Sequence, residues 1–181
     1  MANTVSTSGA ISGGTSVTPT ADYFGDSHFR YDDCVSVSSA GAGLVAAVQP
    51  PSGGTAYYTV VPEFVTSPGC DKVDIKFTMN AAGTYMGLRV IINGRWLTLP
   101  MQWYATAINT VYYVRLTFPT AKAREIRLET ANTGNFGGVV VPSGETVTRP
   151  GAEIRKRAVI FGDSYAVGAN AHTTSDPATN G

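Results

Sequence analysis

From Tyr23 to about Val141 the chain sets short apolar runs between turn residues, and within the runs hydrophobic and polar positions alternate with a period of two. The runs are Gly43 to Val48, Ala56 to Val61, Lys72 to Met79, Met86 to Ile92, Arg95 to Leu99, Val111 to Phe118, Glu125 to Thr130 and Phe136 to Val141. In Lys72 to Phe77, Val73, Ile75 and Phe77 fall on one side and Lys72, Asp74 and Lys76 on the other. Val114, Leu116 and Phe118 alternate with Arg115 and Thr117, and Ile126 and Leu128 with Glu125, Arg127 and Glu129. A strand with one buried and one wet face belongs to an antiparallel sheet packed on one side. The pattern therefore predicts that Ile75, Phe77, Val90, Leu116, Ile126 and Leu128 point inward.

Punctuation agrees with this reading. Asn93-Gly94 separates Arg89-Val90-Ile91-Ile92 from Arg95-Trp96-Leu97-Thr98, and a two-residue Asn-Gly loop tolerates positive φ at both positions, as a tight hairpin requires. Pro68-Gly69 and Pro142-Ser143-Gly144 mark further breaks. No segment from 21 to 145 keeps helical periodicity over about a dozen residues. Many short strands with frequent turns predict a mainly β fold, an antiparallel β-sandwich of jelly-roll type. Residues 1–20 are rich in Ser, Thr and Gly and poor in apolar groups, so they are expected to be a flexible arm unless a partner holds them. The sandwich is expected over 21–145, a linker over 146–157 and the start of a second domain over 158–181, with the boundary between Pro142 and Gly151.

Charge narrows the function. Thirteen basic residues balance thirteen acidic ones, and only 14% of residues are charged. Nothing here makes a field that would gather phosphates or an anionic membrane, so neither a nucleic-acid nor a membrane partner is expected. Arg155-Lys156-Arg157 is too short a cluster to alter that and reads as the solvated approach to the strand after it. No apolar run approaches the roughly 20 residues of a membrane helix. Met1 to Thr20 lacks the positive start and apolar centre of a secretory signal, and the expected location is extracellular or on a phage particle. Cys34 and Cys70 could form one disulfide, worth about 3 kcal/mol if unstrained, or remain thiols. Two cysteines and two scattered histidines make no metal-ligand pattern, so neither metal nor cofactor is expected.

Chemistry enters near the end of the chain. Ala158-Val159-Ile160-Phe161 is an all-apolar run, the mark of a strand buried on both faces of a parallel sheet. It leads straight into Gly162-Asp163-Ser164-Tyr165-Ala166-Val167-Gly168. A serine at the carboxyl end of such a strand sits where open α/β sheets place ligands. If a helix follows, its free N–H groups can stabilise an oxyanion. Arg157 to Gly168 resembles the first conserved block of the SGNH (GDSL-type) hydrolases, with Tyr165 in place of the leucine of that nickname. The segments Glu125 to Glu129 and Phe136 to Val139 are similar to the last strands of the β-sandwich that precedes the SGNH domain in some carbohydrate esterases. The resemblance implies that Ser164 is the nucleophile, that its N–H is an oxyanion donor, and that Gly162 and Asp163 support the motif. It also implies a later glycine, a Gly-x-Asn-Asp block and an Asp-x-x-His base. Neither the Gly-x-Asn-Asp block nor the Asp-x-x-His base lies between Ser164 and Gly181, and His172 does not match the family's histidine. The α/β domain is thus expected to be truncated here, with the native polypeptide continuing.

Two other features compete for a role. Phe24-Gly25-Asp26-Ser27 repeats the same letters with His28 and Asp32-Asp33 nearby, but no buried strand precedes it, and neighbours in an extended chain point apart. It is read as a turn or first-strand element. Trp96, Trp103, Tyr104, Tyr112 and Tyr113 could form a sugar-stacking platform or belong to the core and rim; Trp96, Trp103 and Tyr104 are carried as candidate substrate-binding residues. Together these features describe a substrate-positioning or anchoring domain of a serine esterase acting on acyl or acetyl esters, with an acylated polysaccharide as partner. The alternative is a structural or host-attachment component of a phage particle, with other virion or oligomer subunits as partners. A serine without its base is a poor nucleophile. The 181-residue chain is therefore expected to hydrolyse p-nitrophenyl acetate no faster than solvent; turnover abolished by Ser164→Ala would show that a base is present after all.

Overall fold

Every regular element among the described residues is a β-strand, as the two-residue period requires. The computed structural model describes residues 2–6, 11–22, 24–32, 37–41, 43–47, 61–79, 84–96, 101–105, 110–131 and 134–151. The chain divides into two compact units, Met1–Gly151 and Ala152–Gly181, and the described residues lie in the first.

The strands are β1 (Ala2–Ser6), β2 (Thr15–Val17), β3 (Arg30–Asp32), β4 (Val37–Gly41), β5 (Leu44–Ala47), β6 (Val61–Thr66) and β7 (Lys72–Met79). They continue as β8 (Thr84–Ile92), β9 (Arg95–Trp96), β10 (Met101–Ala105), β11 (Val111–Thr117), β12 (Glu125–Ala131), β13 (Gly134–Val141) and β14 (Val147–Thr148). One sheet runs β1-β11-β7-β13-β5-β4, with β2 also paired to β13. The other runs β10-β8-β12-β6-β14, with β3 on β6 and β9 on β8. The described pairings are antiparallel. From β6 to β8, and again from β11 to β14, successive strands enter opposite sheets. That crossing pattern makes the fold an antiparallel β-sandwich of jelly-roll type.

The inward residues are those the alternation marks. Ile75, Phe77, Val90, Leu116, Ile126 and Leu128 are all buried in a shared core. The sheets are joined through aromatic rings. Phe29, just ahead of β3, meets Phe64 of one sheet at 5.8 Å and Phe136 of the other at 5.0 Å, both edge-on. Phe136 continues to Phe77 at 6.0 Å. Edge-to-face rings at such separations stabilise each other beyond the area they bury. The Asn93-Gly94 turn also forms as its sequence demands, with φ of 50° and 75° and Ile92 paired to Arg95 across it.

The structure departs from the sequence pattern at several places. Within 1–20, expected to be a flexible arm, Ala2–Ser6 pairs along the edge of β11 and Thr15–Val17 pairs with β13. Backbone ladders need no run of apolar side chains, so a polar segment can be held by an edge that supplies donors and acceptors. The stretch 146–157, expected as a linker, contains β14, which pairs with Thr66 and Val65 of β6. Of the expected run 56–61 only Val61 is described, and it opens β6, a strand that carries Pro62 and that the alternation does not mark. Phe118 lies just past the end of β11. Cys70 is a buried free thiol, and burial pushes its pKa up, while Cys34 lies outside the described residues.

Leu116 enters this core from near the end of β11 and is fully buried there. Leu116→Ala is expected to cost about 2–4 kcal/mol, read from urea denaturation as a lower midpoint with unchanged slope.

Candidate functional site

The loop around the first Gly-Asp-Ser is built by two aspartates. Asp22 accepts hydrogen bonds from the backbone N–H of Phe24 (3.0 Å) and Gly25 (2.7 Å), folding the chain into a tight turn. Asp26 is buried, and its carboxylate accepts from the N–H groups of Thr20 (2.7 Å), His28 (2.8 Å) and Phe29 (3.0 Å) and from the Tyr31 hydroxyl (2.8 Å). Arg149 closes the loop from the other end of the sandwich: its Nη1 donates to the carbonyls of Asp26 and Phe29, both at 3.2 Å.

One expectation fails here. Because the backbone turns, Ser27 and His28 do not point apart: Ser27 Oγ lies 3.1 Å from His28 Nδ1. The segment is nonetheless a turn, as expected, since the Asp26 carboxylate bonds the backbone N–H of His28. Among the described residues no carboxylate bonds the His28 ring, so this exposed Ser-His pair lacks the orienting third group of a triad.

The other candidates divide by location. Gly162, Asp163 and Ser164 lie outside the described residues. Trp96 stands opposite Ile91 on β8, while Trp103 and Tyr104 stand opposite Met86 and Tyr85 of the same strand. Their side chains also lie outside the described residues. Tyr112 and Tyr113 belong to β11 in the other sheet, so the five aromatics do not share one platform. Tyr112 is buried in the core; Tyr113, its neighbour in a two-residue period, is half-buried on the opposite face.

Tyr113 leads to a feature that the sequence did not announce. It stands opposite Lys76 in the β11–β7 register. Beside β7, the ladder to β13 breaks between Phe136 and Val139, and the bulge contains Gly137 and Gly138. Gly138 has φ of 88°, and a Cβ there would collide with the carbonyl oxygen of Val17 and approach Cδ of Pro19 to 2.9 Å. Glycine is therefore what allows β2 to seat against β13, with Val17 opposite Val139 and Ser16 opposite Val140. The two glycines put no side chain between the neighbouring strands. They leave an open cavity of about 110 Å³, with Tyr113 and Lys76 on one side, Ser16 and Thr18 on the other and Gly137 and Val140 in the floor.

The electrostatics beside this cavity are asymmetric. Two residues along β7 from Lys76, the buried Asp74 carboxylate takes a bidentate pair from Arg115, at 2.7 and 2.8 Å. The hydrogen bond to Asp74 raises the Arg115 pKa, so this cation is fixed and its charge is spent within the sheet. Lys76 is half-buried and makes no ion pair with a described residue. Among the described residues no three His, Cys, Asp or Glu side chains converge as metal ligands would. What the cavity offers is an aromatic face, a cation, two hydroxyls and bare backbone.

No protein-family model and no curated protein matches the sequence. Solved structures do resemble its fold. The salicylyl-acyltransferase SsfX3 from a tetracycline biosynthetic pathway aligns with 77% of this chain at 15% identity and a TM-score of 0.58. This chain spans 42% of that protein's length. A family 35 carbohydrate-binding module from an environmental isolate aligns over 73% of this chain and 98% of its own, at 13% identity and a TM-score of 0.48. The CBM35 from Paenibacillus barcinonensis covers 82% and is itself covered over 98%, at 13% identity and a TM-score of 0.37. At such identities the likeness to the acyltransferase establishes a shared fold.

The loop geometry separates a folding role from a catalytic one. Asp26→Ala takes the acceptor from the buried N–H of Phe29 and the part-buried N–H groups of Thr20 and His28, and is expected to destabilise the protein by at least about 2 kcal/mol. Ser27→Ala and His28→Ala should each stay within about 0.5 kcal/mol of the parent in the same denaturation measurement. A large loss from either of these would mean that the exposed pair does more than decorate the turn.

Proposed function

We propose that this chain is the substrate-positioning or anchoring module of a serine acyl-transfer enzyme of SGNH type, together with the opening of its catalytic domain. The substrate class is an acyl or acetyl ester of a polysaccharide. The observation that carries the reading is the order of parts in one chain: a jelly-roll sandwich, then an all-apolar run, Ala158 to Phe161, entering Gly162-Asp163-Ser164. The likeness of 77% of the chain to part of a longer acyltransferase supports it, since acyl transfer is also the chemistry that the motif implies. In that chemistry Ser164 Oγ adds to the ester carbonyl as its proton passes to a base. The backbone N–H of Ser164 holds the oxyanion, the alcohol leaves with the proton, and water or a second alcohol takes the acyl group. The base is assigned to a segment after Gly181.

The phage-particle alternative rests on the polar, low-charge N-terminal stretch and the lack of a secretory signal in it; residues 2–6 and 15–17 of that stretch are paired strands.

The polypeptide made by the native source, followed past Gly181, tests the proposal. It is expected to release acetate from acetylated xylan, with Ser164→Ala lowering kcat by about 10³-fold or more. A native polypeptide that ends near 19.0 kDa, or one whose activity survives Ser164→Ala, would overturn it.

A further inference from the structure

The cavity on the outer face of β2, β13, β7 and β11 has a composition that selects its ligand. A small site recognises by shape and by its few polar groups. Tyr113 presents a partly open ring, and the apolar face of a sugar ring is a natural partner for an aromatic face. Ser16 and Thr18 are exposed hydroxyls on the facing wall, each able to donate and accept. The glycine bulge exposes backbone close to any ligand seated between the walls. None of this distinguishes a neutral sugar from a charged one. Lys76 does.

Lys76 stands opposite Tyr113 in the strand register, both line the cavity, and no described carboxylate pairs with its ammonium. The carboxylate nearest along β7, Asp74, is committed to both ends of the Arg115 fork. A half-buried cation without a partner is incompletely compensated, and an incoming anion would satisfy it through a charge-assisted hydrogen bond. Size limits the ligand as well. At about 110 Å³ the cavity is smaller than the roughly 150 Å³ that encloses a benzene ring. It therefore seats part of one six-membered ring, with the rest of the polymer outside.

We infer that this cavity is a binding subsite for a single sugar residue bearing a carboxylate, with Lys76 taking the carboxylate and Tyr113 the ring face. The assignment rests on the polysaccharide reading above and names the charge class of that polymer. Ser16 and Thr18 hold the sugar hydroxyls, and Gly137 keeps the floor open.

Calorimetric titration of the 181-residue chain with trigalacturonate, and with its carboxyl-reduced neutral counterpart, tests it. The acidic trisaccharide is expected to bind about tenfold or more tightly than the neutral one, as one charge-assisted hydrogen bond allows. Lys76→Met should bring the acidic ligand down to the neutral level, while Lys76→Arg keeps most of the preference. Tyr113→Leu should weaken both ligands. The targeted side chains are half-buried on an outer face, and unchanged thermal midpoints confirm that the variants fold. Equal binding of both sugars, or an acidic preference that survives Lys76→Met, overturns the subsite while leaving a polysaccharide substrate standing. Binding of neither sugar also overturns it, and the ester assay on the native polypeptide then judges the enzymatic reading separately.

Discussion

The sandwich depends on how one carboxylate is satisfied. Asp26 is buried, and its charge is met chiefly by N–H groups and a phenol: Thr20, His28, Phe29 and Tyr31 converge on its two oxygens. Such a carboxylate tolerates burial because each lone pair it would have offered to water finds a donor. The consequence is structural reach. Fixing the N–H of Phe29 delivers that ring to the gap between the sheets, where it touches Phe64 on one side and Phe136 on the other. Fixing the Tyr31 hydroxyl sets the start of β3 against β6. Arg149, just beyond β14, locks onto the same loop through two carbonyls. A loop of a few residues thus ties the beginning of the sandwich to its end and supplies the ring that joins its layers.

The remaining charges work on register. Glu63 on β6 is buried between Arg30 of β3 and Arg127 of β12, and Arg127 passes on to Glu129, which also pairs with Arg89 of β8. Asp74 and Arg115 face each other across β7 and β11. Arg124 fills the turn ahead of β12, donating to the carbonyls of Cys70, Lys122 and Thr120, with its guanidinium 4.0 Å above the Phe118 ring. Replacing buried pairs with apolar residues is often neutral for stability, whereas breaking one is costly. Their value here lies in what they exclude. Sliding β11 by one residue would turn Arg115 to the other face and take from the buried Asp74 its bidentate partner, and sliding β12 would take from Glu63 one of its two cations. A chain with few charges has put several where they penalise a wrong register.

What could be read from the sequence follows from how local each signal is. The alternation in β7, β11 and β12 and the Asn93-Gly94 turn are decided within a few residues, and each takes the form its pattern demands. β1, β2 and β14 are short, polar and held by neighbours distant in sequence, so nothing in their own residues marks them. β6 was hidden by Pro62, and a proline in a strand ordinarily argues against one. The cavity was illegible because it, too, is made by distant neighbours. Tyr113 and Lys76 are visible as outward positions, but their adjacency, the bulge at Gly137-Gly138 and the arrival of β2 are properties of pairing. Two successive glycines inside a β-branched run, Gly137-Gly138 before Val139, were the available hint of a bulge.

The two Gly-Asp-Ser strings show what a motif must bring with it. Phe24-Gly25-Asp26-Ser27 and Phe161-Gly162-Asp163-Ser164 are the same four letters, and in the first the aspartate is wholly occupied in closing a turn. Its serine and histidine even come within hydrogen-bonding distance, which by itself confers no chemistry, because no described carboxylate orients the imidazole. Letters alone therefore do not discriminate. What precedes them does: the first follows Asp22, whose carboxylate caps a turn, whereas Ala158-Val159-Ile160 is continuously apolar, the composition of a strand that must be covered on both faces. Only a serine carried on such a strand is delivered to the end of a sheet where a helix can begin over it and lend N–H groups to an oxyanion. The apolar run in front of Ser164 is thus what the proposed nucleophile has and Ser27 lacks, and the folding role of Asp26 shows what the same letters do without it.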